Sequence, residues 1–436
     1  MALAVAESWM PQFRLGDDHP HQPVPESDRT DAYYIAVIMI SGTIAVPGFL
    51  MASNISQGAG FYPGVIGFII GCQVLAITGV FAGMVGARSK LSTYLILRYS
   101  FGTAGYRFGS FLIALVLFFW FAILCNMFGA AAEEVVSIVA GMDLSRQWLA
   151  FLGGLIMVSI TIYGFHAIEK MALLMVPIMA AILLYGAYRA ITSGNIAGLD
   201  GPGTGVLGVG GAISIVIGAY SGGIVTLPDY LRYARHSGRA LMAVYFALGI
   251  SFPTILTVTA IPSVLSGEQD LIRIMLTLGV GVGALVVLIF STVSSNVAML
   301  YSVGLSVAAS LKRVNFWRSV ALLGILATLL SMFDIVIYFI PYISVLGICI
   351  PSLFGIYICD FFYVNRQDYS PEKLASLPAY NLSAFLAWGT GFLVGIMSVK
   401  EVITLTTVSA FDSMISAAFC YCLIARRQTS VKQGIL

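Results

Sequence analysis

Charge is what this sequence has least of. Of 436 residues, 10% are Asp, Glu, Lys or Arg and 59% are hydrophobic, with a mean hydropathy of +0.95. A soluble domain carries about 25% charged residues, so the composition excludes a soluble globular chain and puts most of this one in a bilayer. Histidine is scarcer still. The four (His19, His21, His166 and His236) fall at or beyond the ends of apolar segments, which leaves an intramembrane enzyme without paired catalytic groups at depth. The six cysteines (Cys72, Cys125, Cys349, Cys359, Cys420 and Cys422) lie in or beside apolar segments, without metal-ligand spacing to a histidine. They read as reduced, small apolar fillers with no disulfide framework. Residues 1–30 are polar and acidic (Asp17, Asp18, Glu26, Asp28), with no apolar core of a secretory leader. No basic run suggests nucleic acid, and a net charge of +2 argues for no polyanionic partner. The glycine-rich stretch 198–211 has no strand before it and no lysine after it, so it reads as a flexible extracellular linker rather than a phosphate cradle.

What is present is long apolar runs. A spanning helix needs about 20 apolar residues, and twelve segments qualify: about 32–53, 62–86, 108–138, 147–165, 168–190, 205–228, 238–264, 275–310, 317–332, 335–359, 380–398 and 402–424. The predicted class is an all-α polytopic membrane protein with twelve transmembrane helices. Its divisions are a tail over 1–30, helices 1–5 over 31–190, helices 6–10 over 205–359, helices 11–12 over 380–425, and a tail over 426–436. An even count puts both termini on one side. That side collects 18 of the 22 basic residues; Arg146, Arg189, Arg273 and Lys400 are the other 4. The positive-inside rule then predicts both termini in the cytoplasm, with the chain integral to the cell (inner) membrane. Leu91–Leu97, between Arg88 and Arg107, is too short to cross and reads as an interfacial helix. The acidic tail, with Trp9, His19 and His21, either folds onto the cytoplasmic gate or stays disordered.

Two of the segments carry a break. Val46-Pro47-Gly48 interrupts segment one, and Gly218 to Gly223 (with Tyr220 and Ser221) interrupts segment six. Pro47 removes a backbone donor and Gly48 permits any backbone angle. Lipid cannot satisfy unwound backbone, which survives at depth only where it lines a protein cavity. Matching breaks in the first helix of each half point to an inverted-repeat transporter and to its substrate site. A Pro kink is the plainer alternative for either break alone.

Four polar or aromatic sets could carry chemistry. Ser291, Ser294 and Ser295 fall close to one helical stripe, with Asn296 beside them. With carbonyls near Ser41–Ala45 they would make an oxygen site for a small hard cation; serines that let helices pack closely are the alternative. Trp120 and Tyr220 are flat aromatics near mid-membrane that would sandwich a planar ring; in a chain with 27 Phe and 21 Tyr, core aromatics are the alternative. Asp412 falls about ten residues into segment twelve, an intramembrane carboxylate and hence a candidate proton carrier or oligomer contact. Glu133 and Glu134 lie toward the outer end of segment three. Asp229 and Asp360, with Arg232 and Arg366 nearby, read as gate or anchor ion pairs.

Three runs carry a resemblance: Pro228-Asp229-Tyr230-Leu231-Arg232-Tyr233-Ala234-Arg235, Arg98-Tyr99-Ser100-Phe101-Gly102, and Pro351…Gly355…Asp360-Phe361-Phe362…Arg366…Tyr369. The chain resembles the nucleobase:cation symporters, closest to the cytosine permeases, over about 30–425. The resemblance implies the five-plus-five inverted repeat of the leucine-transporter type plus two extra helices. It implies Trp120 and Tyr220 as the residues that stack on the substrate. It implies Ser294 and Ser295, with backbone near Ser41, Ala45 and Ser291, as sodium ligands. It implies no cofactor beyond sodium as the coupling ion.

The chain departs from the cytosine permeases at the pocket. Leu117 stands where they resemble one another in a glutamine, Ser291 where they carry an asparagine, and Ala219 where a serine is usual, leaving Ser221 among glycines. A site with fewer amides cannot pair the edge of cytosine in the same way. The predicted function is sodium-coupled import of a nucleobase or related small heterocycle by alternating access, with Pro47, Gly48, Asp229, Arg232 and Asp360 in gating. Cytosine, a purine, another pyrimidine, a hydantoin and a vitamin precursor are all open as the substrate. The alternatives are proton coupling through Asp412 or Glu133 in the same fold, and a channel or receptor on that scaffold. Oligomeric state is not legible.

Overall fold

The computed structural model describes residues 18–432 apart from 195, 312, 334 and 336–338. Trp9, Arg14, Asp17, Lys312 and the first residues of expected segment ten therefore lie outside the described residues. The rest is helical: α1 (Ala32–Thr43), α2 (Val46–Ala59), α3 (Phe61–Ser89), α4 (Thr93–Phe101), α5 (Tyr106–Ala140), α6 (Arg146–Thr161), α7 (Phe165–Ser193), α8 (Val209–Val225), α9 (Leu227–Leu231) and α10 (Ser237–Tyr245). After a π-helical stretch Phe246–Ser251 come α11 (Phe252–Ser266), α12 (Leu271–Thr277), α13 (Gly281–Ser310), α14 (Phe316–Leu330) and α15 (Phe339–Cys359). A second π stretch, Asp360–Val364, leads to α16 (Pro371–Ser376), α17 (Leu382–Val399) and α18 (Ser409–Lys432). Among the described residues the sole β pairing is an isolated parallel bridge between Thr30 and Ala234.

Seven of these helices are long and apolar enough to cross a membrane, eight if the bent pair α1–α2 is one span, and four shorter apolar helices accompany them. The chain is thus an integral, multi-span membrane protein. The expected count of twelve is reached only by taking the four short helices as spans too.

The first break exists, displaced from its expected place; the expected break at Gly218–Gly223 does not. α1 and α2 meet at 61°, and the unwound residues are Ile44 and Ala45 rather than Val46-Pro47-Gly48. Pro47 opens the new helix, where its missing N–H costs nothing because the first turn has no partner for it. In segment six the glycine run is helical throughout, and the chain turns at Thr226, two residues before Pro228 and at the end of the expected segment. Helix satisfies every glycine N–H and C=O, the overriding need in lipid; proline is what breaks the chain.

α3 packs on that broken segment through glycines. A Cβ on Gly67 would meet the Ala212 Cβ at 2.5 Å, on Gly71 the Val216 Cβ at 2.8 Å, and on Gly86 the Pro228 Cα at 2.5 Å. Small residues at such spacing let membrane helices approach backbone to backbone. α4 is the short helix expected over Leu91–Leu97, but it is not interfacial: Tyr94, Leu95, Ile96, Leu97 and Phe101 are buried inside the protein. The linker 198–211 is largely exposed and is tied down near its middle, with Thr204 N–H on the Gln57 carbonyl (2.8 Å) and Gly203 against the Gly60 N–H. The reading of six reduced cysteines is corrected at one pair. Cys359 and Cys422 are disulfide-bonded across α15 and α18, their Cα atoms 6.3 Å apart, where packing of the two helices brings the thiols together.

Candidate functional site

The break before Pro228 frees the Val225 carbonyl, whose helical partner would have been the Asp229 N–H. That N–H turns instead to the Thr226 carbonyl (3.0 Å). Two hydroxyls take its place on Val225: Tyr357 at 3.1 Å from α15 and Thr93 at 3.4 Å from the start of α4. Unwound backbone here is satisfied by protein, as a low-dielectric interior demands.

Beyond the break lies a buried polar cluster on the face that carries the N-terminal segment. Asp229 is buried and accepts from the Thr93 N–H (2.8 Å) and the Ser302 hydroxyl (3.0 Å). Arg232 is also buried, but it does not pair with the Asp229 carboxylate. It donates to the Asp229 carbonyl (3.1 Å), the Tyr301 hydroxyl (2.9 Å), and the backbone carbonyls of Asp18 (2.6 Å) and His19 (3.0 Å). The expected Asp229–Arg232 ion pair is therefore replaced by a hydrogen-bonded hub, because two donors already reach the carboxylate. Burial raises the Asp18 carboxyl above its usual range despite nearby Arg232. Burial, then Arg29, pushes Lys90 down to about 8; its ammonium donates to the Ala234 carbonyl.

Asp360 does not pair with Arg366 either. It accepts from Tyr369 (2.6 Å), Tyr421 (2.7 Å) and Asn365 (2.9 Å), while Arg366 lies exposed in a left-handed turn. Two tyrosines and an amide satisfy the carboxylate without a cation. Asp412 is not about ten residues into a helix. Residues 400–408 form a loop, α18 starts at Ser409, and Asp412 sits in its first turn. There it accepts from Ser398 (2.6 Å), the Leu405 N–H (3.1 Å), and the Thr406 N–H (2.7 Å) and hydroxyl (2.6 Å). It is a cap for the loop, favoured by the helix dipole, with its lone pairs committed. Glu133 is exposed, and Glu134 pairs with Arg273 at 2.7 Å.

The serines fall in the interior as expected. Ser291, Ser294 and Ser295 are buried on α13. Ser295 bonds back to the Ser291 carbonyl (2.9 Å) and Ser291 to that of Leu288 (3.3 Å), whereas the Ser294 hydroxyl is buried with no hydrogen-bond partner. Ser295 shares a narrow cleft with Val46, Pro47, Leu124, Met127, Phe128, Leu288 and Thr292. Val46 and Pro47, just past the first break, thus meet the serine stretch at Ser295. Thr292, absent from that reading, lines the cleft with a second buried, unpartnered hydroxyl. At the break, the Ala45 carbonyl accepts from the N–H groups of Gly48 (2.8 Å) and Phe49 (3.2 Å), and the Ser41 hydroxyl donates to the Ile38 carbonyl (2.8 Å). Gly48 lies in the first turn of α2.

Trp120 and Leu117 are half-buried on α5. Tyr220 is on α8 with its ring 5.3 Å from that of Phe252. Ser221, one residue on, turns to a different cleft, lined by Thr78, Ile224, Pro351, Phe354 and Met414.

The sequence matches, over residues 23–420, the family described as permease for cytosine/purines, uracil, thiamine, allantoin. This chain belongs to that family. It is a family of permeases, so the chain is a transporter rather than an enzyme. The cytosine permease of Escherichia coli (strain K12) is 25% identical over 379 residues, 86% of this chain and 87% of that one. Mhp1, a nucleobase-cation-symport-1 family transporter, superposes in a closed conformation with bromovinylhydantoin bound with a TM-score of 0.82 at 19% identity, over 97% of this chain and 96% of Mhp1. The inward-facing conformation of Mhp1 gives 0.77 at 18% identity, over 94% and 93%. A Na+-coupled sialic acid symporter, substrate-bound and outward-open, gives 0.72 at 12% identity, over 95% and 92%. The fold is the one these symporters share.

Proposed function

We propose that this permease imports a nucleobase or related small heterocycle together with sodium, by alternating access, from an outward-open to an inward-open arrangement. The observation that carries the ion is the cleft between the first break and α13. The buried hydroxyls of Ser294 and Thr292 are without partners, and a buried hydroxyl with no partner costs about 1–3 kcal/mol. A small cation would recover that cost through these oxygens, the Ser295 hydroxyl and the carbonyls of α1 past Ile40, whose own carbonyl is taken by Ile44 and Thr43. Trp120 and Tyr220 would flank the ring of the solute, with Leu117 and Ser291 shaping its edge; Ser221, turned to another cleft, is left out of this reading. Twelve spans, the inverted repeat, an inner-membrane location and cytoplasmic termini belong to the same reading. In it, the face that carries Arg232 is the cytoplasmic one. Proton coupling through Asp412 or Glu133 has no support in the hydrogen bonding of Asp412 or the exposure of Glu133.

The test is thermal unfolding of the purified protein with cytosine, uracil, a purine, a hydantoin and thiamine, each with and without sodium. A shift given by one heterocycle only in sodium is expected. Ser294→Ala should weaken the apparent sodium affinity about tenfold, the loss of roughly 1.4 kcal/mol. A heterocycle that stabilises equally in sodium and in potassium would end the sodium proposal.

A further inference from the structure

We infer that residues Asp18–Thr30 form a seated latch, pinned by Arg232 and paired to residues 233–235 just beyond α9, which closes the cytoplasmic face and must leave before that face opens. The inference rests on the alternating-access reading above.

The latch contacts three elements at once. Its far end pairs along 233–235: Thr30 N–H to the Tyr233 carbonyl (2.8 Å) and Arg235 N–H to the Thr30 carbonyl (2.9 Å). Its middle is held by Val24, whose side chain is buried and whose N–H donates to the Lys90 carbonyl at the end of α3 (3.1 Å). Its near end reaches α7, where the Asp18 carboxylate accepts from the Phe165 N–H (3.3 Å) and the Tyr233 hydroxyl (2.8 Å). The rings of Phe165 and Tyr233 stack at 3.8 Å beneath it. Gly164, with φ +77°, faces the same carboxylate, and a Cβ there would collide with it.

Arg232 joins the latch to the transport core. One guanidinium bonds the carbonyls of Asp18 and His19 on the latch and the Tyr301 hydroxyl on α13, while its Nε holds the Asp229 carbonyl. The stretch that carries Arg232 cannot draw away from α13 and the latch without releasing at least one of these partners. The seat is built to release. The latch buries few side chains: His21, Gln22, Pro23, Glu26 and Ser27 are exposed, and the Asp18 Oδ2 is shielded from water with no partner. That unmet acceptor lowers the barrier to leaving, because departure hydrates it.

The test uses the full chain carrying Ser302→Cys as a reporter, since Ser302 is buried behind Arg232 at the Asp229 carboxylate. A membrane-impermeant maleimide is applied from the cytoplasmic side, and labelling of that peptide is read by mass spectrometry. Val24→Asp, and separately Thr30→Pro, which removes the ladder N–H, should each speed labelling about tenfold, as expected when a minor open state becomes a main one. Labelling within twofold of the reporter alone in both variants would overturn the latch. A Thr30→Cys, Ala234→Cys pair, oxidised, should block both labelling and uptake, with reductant restoring both. Uptake at the uncrosslinked rate with the pair oxidised would also overturn it. Labelling needs no substrate, so failure to find a transported heterocycle leaves this test standing on its own.

Discussion

At the scale of single residues, the sequence says which polar groups are inside and says little about what they touch. Asp412 is the clearest case. An acid in an apolar run reads as a proton carrier, yet four donors from 398–406 occupy it, because the helix starts seven residues later than the hydropathy suggests. Where a helix begins is decided by caps and loop geometry, which hydropathy does not report. Asp412→Ala should therefore lower stability by about 1.5–3 kcal/mol, the range for hydrogen bonds to a charged group, measured by thermal unfolding. The pH profile of uptake should stay that of the parent, and a shifted profile would restore Asp412 as a coupling group. Asp229 and Asp360 repeat the lesson. Arg232 and Arg366 stand near them in sequence, but Thr93, Ser302, Tyr369 and Tyr421 come from distant elements and satisfy the carboxylates first. Of the spare hydroxyls on α13, Ser294 was singled out from helical spacing, and Thr292 was missed because it lies off the Ser291–Ser294–Ser295 stripe.

At the scale of elements, proline proves the better guide and glycine the poorer one. The break in segment one was expected and falls where Pro47 opens the next helix; the turn at Thr226, where Pro228 opens the next helix, was not expected. The glycine run at 218–223 stays helical, since in lipid an unpaired amide costs more than the weak helix propensity of glycine. The glycines that matter are on α3, where they set how near the broken segment can come. Gly71→Ala puts a methyl 2.8 Å from the Val216 Cβ, a contact that both helices must give way to. It should reduce uptake at least about tenfold, from misplacement of about 1 Å at the segment that lines the site. Gly389→Ala on α17, with no atom within 4 Å of its added Cβ, should transport as the parent does. Equal activity in the two variants would mean that the α3 seam is not what positions segment six.

At the scale of the whole molecule, composition and charge already required a many-span membrane protein, and three short motifs already resembled its family. What they could not supply was the closure of one face. That closure joins residues far apart in the chain, such as Asp18 to Phe165, Arg232 and Tyr233, and no local pattern records it. A carrier closed in this way and driven by one cation has a bounded yield. One monovalent charge crossing 100 mV releases about 2.3 kcal/mol, and a tenfold ion gradient adds about 1.4 kcal/mol. The sum, roughly 3.7 kcal/mol, supports several-hundred-fold accumulation of a neutral heterocycle. In proteoliposomes loaded with potassium, valinomycin and external sodium should therefore drive accumulation of the heterocycle found by thermal unfolding. Replacing sodium by choline should leave only equilibration. A protonophore should have no effect while valinomycin sets the potential. Accumulation that survives in choline and collapses with the protonophore would transfer the coupling to protons, and the unpartnered hydroxyls on α13 would then be packing groups alone.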